Sequence, residues 1–169
     1  MKKNALLILT VLGCMVIMSC ASAPPAPMTD QGYPYEIMVH CDRGNPPAEH
    51  ADSVEQIADW MERDLVNRLN SSGYKAQLIN SKSDFAPQDG RYLLYITVTK
   101  YNPGSSAARM IVGFGAGSAS MDNSYDMYGK AKDPFYTWDD GVGTSGDWRR
   151  IARKMNENTV KKVNANLSE

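Results

Sequence analysis

The sequence contains few residues of the kinds that bind metal ions or form disulfides. Only three of its 169 residues are cysteine and two are histidine. No Cys-x-x-Cys pair occurs, and His40 and Cys41 are neighbours in a predicted strand, so their side chains point to opposite faces. We therefore expect no metal site, and no motif indicates a bound cofactor.

A hydrophobic run long enough to cross a bilayer is also missing. The apolar stretch at residues 5–18 covers 14 residues, whereas a spanning helix needs about 20. It follows two lysines, which is typical of a signal peptide. Its last residues, Ile17-Met18-Ser19-Cys20, resemble the bacterial lipobox. That resemblance implies cleavage after residue 19 and attachment of fatty acids such as palmitate to Cys20. The alternative is a simple secretory signal in which Cys20 is incidental.

An excess of positive charge is absent as well. After removal of residues 1–19, the chain carries 16 basic and 19 acidic residues, so nucleic acid is not an expected partner. Residues 20–34 are rich in alanine and proline, which predicts a flexible tether. Ala21 stands where an aspartate would indicate the inner membrane of enterobacteria. The resemblance therefore implies a lipoprotein of the outer membrane that faces the periplasm.

Cys41 has no cysteine partner within the predicted mature chain, because Cys14 leaves with the signal and Cys20 is the anchor. An exposed thiol would be reactive in an oxidising compartment. We therefore expect Cys41 to be buried, with an intermolecular disulfide as the alternative.

The remaining chain, residues 35–169, predicts a single α+β domain. Alternating or apolar strands are expected at residues 35–41, 74–80, 91–101, 118–128 and 135–138. A helix with an apolar stripe follows the capping-box pair Ser53 and Gln56 and ends at Gly73, and a second helix follows Thr144 and Asp147. Asp139-Asp140-Gly141 predicts a turn. The expected architecture is a mainly antiparallel (mixed) sheet of about five strands with two helices on one face.

A glycine-rich stretch joins the third and fourth of these strands. Its residues, Arg109-Met-Ile-Val-Gly-Phe-Gly-Ala-Gly-Ser-Ala119, do not fit a phosphate-binding loop, because a strand follows and no Lys-Ser/Thr pair is present. A close-packed, bent entry into a strand fits better. The segment resembles the signature of a family of bacterial lipoproteins that share a domain of unknown function. The element order over residues 35–167 is more distantly similar to the domain of the TolB amino-terminal region, LpoB and CsgG. Catalytic residues are not implied by either resemblance.

The sequence therefore favours a non-enzymatic binding or assembly module of the cell envelope. An aromatic patch of Tyr95, Tyr101 and Tyr128, on the sheet face away from the helices, is the candidate binding face for an envelope protein or glycan. The membrane, through Cys20, and further copies of the chain are the other expected partners. Two alternatives stay open: a hydrolase of peptidoglycan or oligosaccharide that uses Asp139, Asp140 or Asp147, and an oligomeric secretion-type subunit.

Overall fold

The computed structural model describes residues 27–104, 118–144 and 147–167. The predicted signal peptide, the predicted lipidation site Cys20 and most of the glycine-rich stretch lie outside these ranges. Within them, no helix is long and apolar enough to cross a bilayer. In chain order the elements are β1 (Glu36–Asp42), α1 (Ala51–Ser71), β2 (Lys75–Leu78), β3 (Arg91–Asn102), β4 (Ala119–Tyr128), β5 (Tyr136–Thr144) and α2 (Trp148–Leu167).

The five strands form one sheet in the order β2-β1-β3-β4-β5. β1 pairs in parallel with β2 and with β3, whereas β3, β4 and β5 pair antiparallel. The predicted α+β fold with two helices and five strands is confirmed, although the sheet is evenly mixed rather than mainly antiparallel. Because β1 and β2 run in the same direction, α1 serves as the crossover that parallel strands require.

α1 follows its predicted periodicity. Its apolar stripe is buried and comprises Val54, Ile57, Ala58, Met61, Leu65 and Leu69. The helix begins at Ala51, two residues before the predicted cap Ser53, because a 3-10 turn at Ala48–His50 leads directly into it. Gly73 follows its end with a φ of 92°, a conformation that favours glycine, as predicted for a C-terminal cap.

The hydrophobic core lies between the helices and one face of the sheet. Ile37, Val39 and Cys41 of β1 point into it and are fully buried. The prediction that Cys41 is buried is confirmed, and its thiol is free. Burial raises the pKa of that thiol, so it stays protonated at neutral pH. A fully buried thiol is not placed to form an intermolecular disulfide.

β3 departs from the prediction that Tyr95, Thr97, Thr99 and Tyr101 share a face. Its register with β4 shifts between Val98 and Lys100. A bulge of this kind inserts one unpaired residue and reverses the facing of every later side chain. Tyr101 therefore pairs with the buried Met121 on the helix side, while Tyr95 stays on the opposite side.

β5 is longer than predicted. It continues through Asp139-Asp140-Gly141, which pair with β4 at Ser124, Asn123 and Asp122. The predicted turn is therefore wrong: the alternation of exposed and half-buried residues along Tyr136–Thr144 is that of a strand with one face in solvent.

The end of the predicted tether is folded. Residues 27–35 form a tight turn in which Thr29 N–H donates to Tyr33 C=O at 2.7 Å and Tyr35 N–H donates to Pro27 C=O at 3.2 Å. The turn packs against Gly90, just before β3, where an added Cβ would lie 2.3 Å from Thr29 Cγ2. The predicted tether is therefore too long at its end, because its residues from Pro27 onward belong to the folded domain.

Candidate binding surface

The sheet face opposite the helices is called the open face. At one end it carries a small apolar cluster of Met38, Leu93 and Tyr128, all buried. The β2–β3 connection covers this cluster: Lys82 Nζ donates to Tyr128 Oη at 2.5 Å and lies 3.8 Å from the centre of its ring. Tyr128 is consequently 8% exposed, which leaves little of it for a partner.

Tyr95 lies beside this cluster and bonds within the domain. Its hydroxyl donates to Asp42 Oδ2 at 2.7 Å, and Asp42 Oδ1 accepts the Gly44 N–H at 2.8 Å. These two donors lower the pKa of Asp42, while burial and the hydrogen bond to Asp42 raise the pKa of Tyr95 to about 12. At neutral pH a charged carboxylate therefore accepts from a neutral phenol, and the bond ties the end of β1 to β3.

The structure brings together two of the three predicted aromatic residues. Tyr95 and Tyr128 share the open face, and Lys82 Nζ lies over both rings. Tyr101 lies on the helix side, where its ring meets His50 edge-on at a centroid distance of 5.9 Å. The three tyrosines therefore do not form one continuous patch on the open face.

The first edge, at β2 and β1, is closed by side chains. β2 has only four residues and ends at Leu78, while β1 continues to Asp42. At Cys41 the backbone N–H donates to Glu62 Oε1 at 2.8 Å, and the backbone C=O accepts from Arg43. The side chains of Glu62 and Arg43 thus form the hydrogen bonds to the Cys41 N–H and C=O that a longer β2 would form.

The side chains that close this edge form what is called the Arg43 cluster. Arg43 makes ion pairs with Glu55 at 3.1 Å, Asp59 at 2.6 Å and Glu62 at 3.1 Å. A depression of about 710 Å³ lies beside them, lined also by His40, Leu78 and Asn80. Glu62 is only 7% exposed. Glu55, Asp59 and Glu62 are spaced four and three residues apart, so they lie on one face of the helix. This spacing in the sequence could have indicated the cluster.

The second edge, at β5, has no such closure. No strand of the described residues pairs with its outer side, and it runs for nine residues. Between β5 and α2 lie two depressions of about 410 and 370 Å³. Basic side chains of α2 line both: Lys161 and Lys162 the first, and Arg150, Arg153 and Lys154 the second.

The three aspartates considered for hydrolysis do not converge. Asp139 lies opposite Ser124 on the open face, whereas Asp140 points to the helix side and accepts from Asn158 Nδ2 at 2.9 Å. Asp147 accepts the Arg149 N–H at 3.0 Å and so caps the start of α2 itself, whereas Thr144, the predicted cap, belongs to β5. A cooperating acid and base need two carboxylates facing one substrate, and neighbouring strand residues point apart.

Comparison with known proteins gives one family match. Residues 28–165 match the family model described as "Domain of unknown function (DUF4410)". No curated protein matches the chain.

Among solved structures, the chain is similar to the PelC dodecamer from Paraburkholderia phytofirmans, with 12% identity, a TM-score of 0.46, and coverage of 78% of this chain and 88% of that one. It is also similar to a putative neuraminyllactose-binding hemagglutinin homolog from Helicobacter pylori, with 11% identity, a TM-score of 0.29, and coverage of 85% and 87%. At TM-scores below 0.5, these likenesses assign neither a fold nor a function to the chain.

Proposed function

We propose, from the premise that the chain belongs to the DUF4410 family of domains of unknown function, that it is a lipid-anchored, non-enzymatic binding module of the bacterial cell envelope. Its anchor is Cys20, and its binding site is the outer edge of β5, where it takes up an extended segment of another envelope protein. One observation carries the binding site: within the described residues, side chains bond the backbone at one edge of the sheet, whereas no strand pairs with the outer side of the other edge.

An open strand edge has a chemical consequence. Its outward N–H and C=O groups form a template for another strand, and soluble proteins usually block such edges with short strands, charges, prolines or bulges. The β2 edge is blocked in this manner: β2 has only four residues, the Asn70 side chain bonds both the N–H and the C=O of Ala76, and the Arg43 cluster bonds β1 beyond the end of β2. β5 has nine residues, and it contains Gly141 and Gly143 and no proline; its only charged residues, Asp139 and Asp140, lie on opposite faces of the strand. The protein thus prevents pairing at one edge and permits it at the other.

The surroundings of β5 suit an added strand. Backbone hydrogen bonds to an edge strand supply affinity, and pockets for alternate side chains supply specificity. Along β5 the two depressions beside α2 would receive side chains from one face of the added strand. The other face would lie beside Thr137 and Asp139 on the open face.

Charge favours a different protein over a second copy at this edge. α2 carries six basic residues, Arg149, Arg150, Arg153, Lys154, Lys161 and Lys162, against the single acid Glu157. Two copies joined through their β5 edges about a twofold axis would bring two basic helices near each other. Like charges at such a contact oppose association. An extended segment that carries acidic side chains opposite Arg150, Arg153 and Lys154 meets no such repulsion.

Site-specific photo-crosslinking tests this assignment. A photoreactive amino acid is placed at Thr137, exposed on the β5 edge, and separately at Gln77, exposed on the β2 edge, in cells that produce the full chain. We expect adducts at Thr137 and none at Gln77, because the partner strand is proposed to bind along β5. Mass spectrometry should identify one segment of another envelope protein in the adduct.

Equal labelling at the two positions, or none at Thr137, would contradict the proposed site. An adduct at Thr137 with another copy of the same chain would instead support the oligomeric alternative.

A further inference from the structure

The first described residues of the domain lie at one end of the sheet, which is called the anchor end. The turn at residues 27–35 is held there, since Glu36 N–H donates to Gly90 C=O at 2.9 Å just before β3 begins. The β4–β5 connection reaches the same end, where the Phe135 ring lies 5.8 Å from that of Tyr92 near the start of β3. Tyr92 in turn meets Tyr35 edge-on at 5.5 Å.

This end carries most of the large apolar side chains that the described residues expose. Four are exposed: Met28 by 49%, Tyr33 by 69%, Phe135 by 49% and Leu78 by 43%. The first three belong to the anchor end, and Leu78 lies at the far end of β2. Scattered apolar side chains need no explanation, but several gathered at one end of a domain indicate a contact surface.

The charges at the anchor end are balanced. Glu36 is paired with Lys75 at 2.5 Å and Arg91 at 2.6 Å, and Asp89 is paired with Lys130 at 2.5 Å. Asp30, Lys132 and Asp133 are also exposed in its turns. An apolar surface with balanced charge suits the interface of a bilayer, where tyrosine and other aromatic side chains are enriched.

The proposed lipid anchor is attached close to this end. From Cys20 to Pro27 the chain advances seven residues. Even when fully extended, that length spans no more than about 25 Å. Acyl chains on Cys20 would therefore keep the anchor end within about 25 Å of the membrane.

We propose that the anchor end is a membrane-docking surface, at which Met28, Tyr33 and Phe135 enter the headgroup region of the bilayer that holds the acyl chains. The proposal rests on the lipid anchor of the proposed function. In this orientation the strands run away from the membrane, and the edge of β5 is presented at the side of the domain for a partner.

Spin labelling of the full, lipidated chain in vesicles of phosphatidylethanolamine and phosphatidylglycerol tests the docking. A nitroxide is attached at Lys132→Cys, in the anchor end, and as a control at Asn80→Cys, at the far end; Cys41 is buried and does not compete. We expect the label at 132 to collide several-fold less with a water-soluble nickel chelate, and more with oxygen, than the label at 80. The difference should persist at high salt.

The variant Met28→Ser, Tyr33→Ser, Phe135→Ser should abolish this difference while the protein still floats with the vesicles. Tyr33→Ser alone, at the most exposed of the three positions, should reduce it. Co-flotation with equal exposure at 132 and 80 would overturn the docking surface alone. Failure to co-float would overturn the docking surface together with the lipid anchor, and it would leave the β5 site to be decided by its crosslinks.

Discussion

Replacing Glu62 with alanine is expected to lower the free energy of unfolding by about 3–5 kcal/mol, the usual cost of removing one partner of a buried ion pair. Glu62 is 7% exposed and accepts both the buried Cys41 N–H and Arg43. Its loss leaves the Cys41 N–H without its acceptor. Arg43 then pairs only with Glu55 and Asp59, whose side chains are more exposed than that of Glu62. Urea unfolding followed by circular dichroism measures the change.

Glu55→Ala is the matched control within the same cluster. Glu55 also pairs with Arg43, at 3.1 Å, but its side chain is 59% exposed. Water screens such a pair, so its removal should cost less than about 1 kcal/mol. If the free energy of unfolding fell by the same small amount in both variants, the Glu62 carboxylate would not be bonding the backbone of Cys41 at this edge of the sheet.

Replacing Cys20 with alanine is expected to abolish fatty acid attachment and to release the protein from the membrane. Each buried methylene contributes about 0.8 kcal/mol to membrane binding, and a single acyl chain binds only marginally, so stable anchoring needs several chains on one residue. Metabolic labelling with palmitate, followed by fractionation of the envelope, measures both effects.

Cys14→Ala is the matched control, because Cys14 lies within the predicted signal and would be absent from the mature chain. This variant should be labelled like the parent. Palmitate label on Cys20→Ala, or none on the parent, would contradict the lipid anchor. It would also contradict the membrane-docking surface, which rests on that anchor.

Features that depend on local periodicity could be predicted from the sequence. The stripe from Val54 to Leu69 and the alternation of β4 follow from the 3.6- and 2-residue repeats, and both are found. The burial of Cys41 followed from its place on the apolar face of β1.

Features that depend on a single inserted residue or on contacts between distant parts of the chain could not be predicted from the sequence. The bulge at Thr99 leaves no mark on the alternation of β3, yet it moves Tyr101 to the other face. Lys82 reaches Tyr128 across 46 residues of chain, so the cover over the predicted aromatic patch depends on the tertiary fold. Asp139-Asp140-Gly141 has the composition of a turn, but pairing with β4 overrides that local preference.

The two edges of the sheet differ in their hydrogen bonding. Glu62 and Arg43 bond the backbone of β1 beyond the end of β2, whereas no strand of the described residues pairs with the outer side of β5, which lies next to a basic helix. The proposed partner strand would therefore bind at β5.

Hydrogen exchange of the β5 backbone tests this claim most directly. Amide exchange is followed by mass spectrometry for the full chain in isolated envelopes and for the same chain purified in detergent. The account predicts slower exchange in the envelope for peptides covering Tyr136–Thr144, because outward N–H groups are bonded to a partner strand, and unchanged exchange for the central strand Arg91–Asn102. Equal exchange of β5 in the two preparations would contradict it.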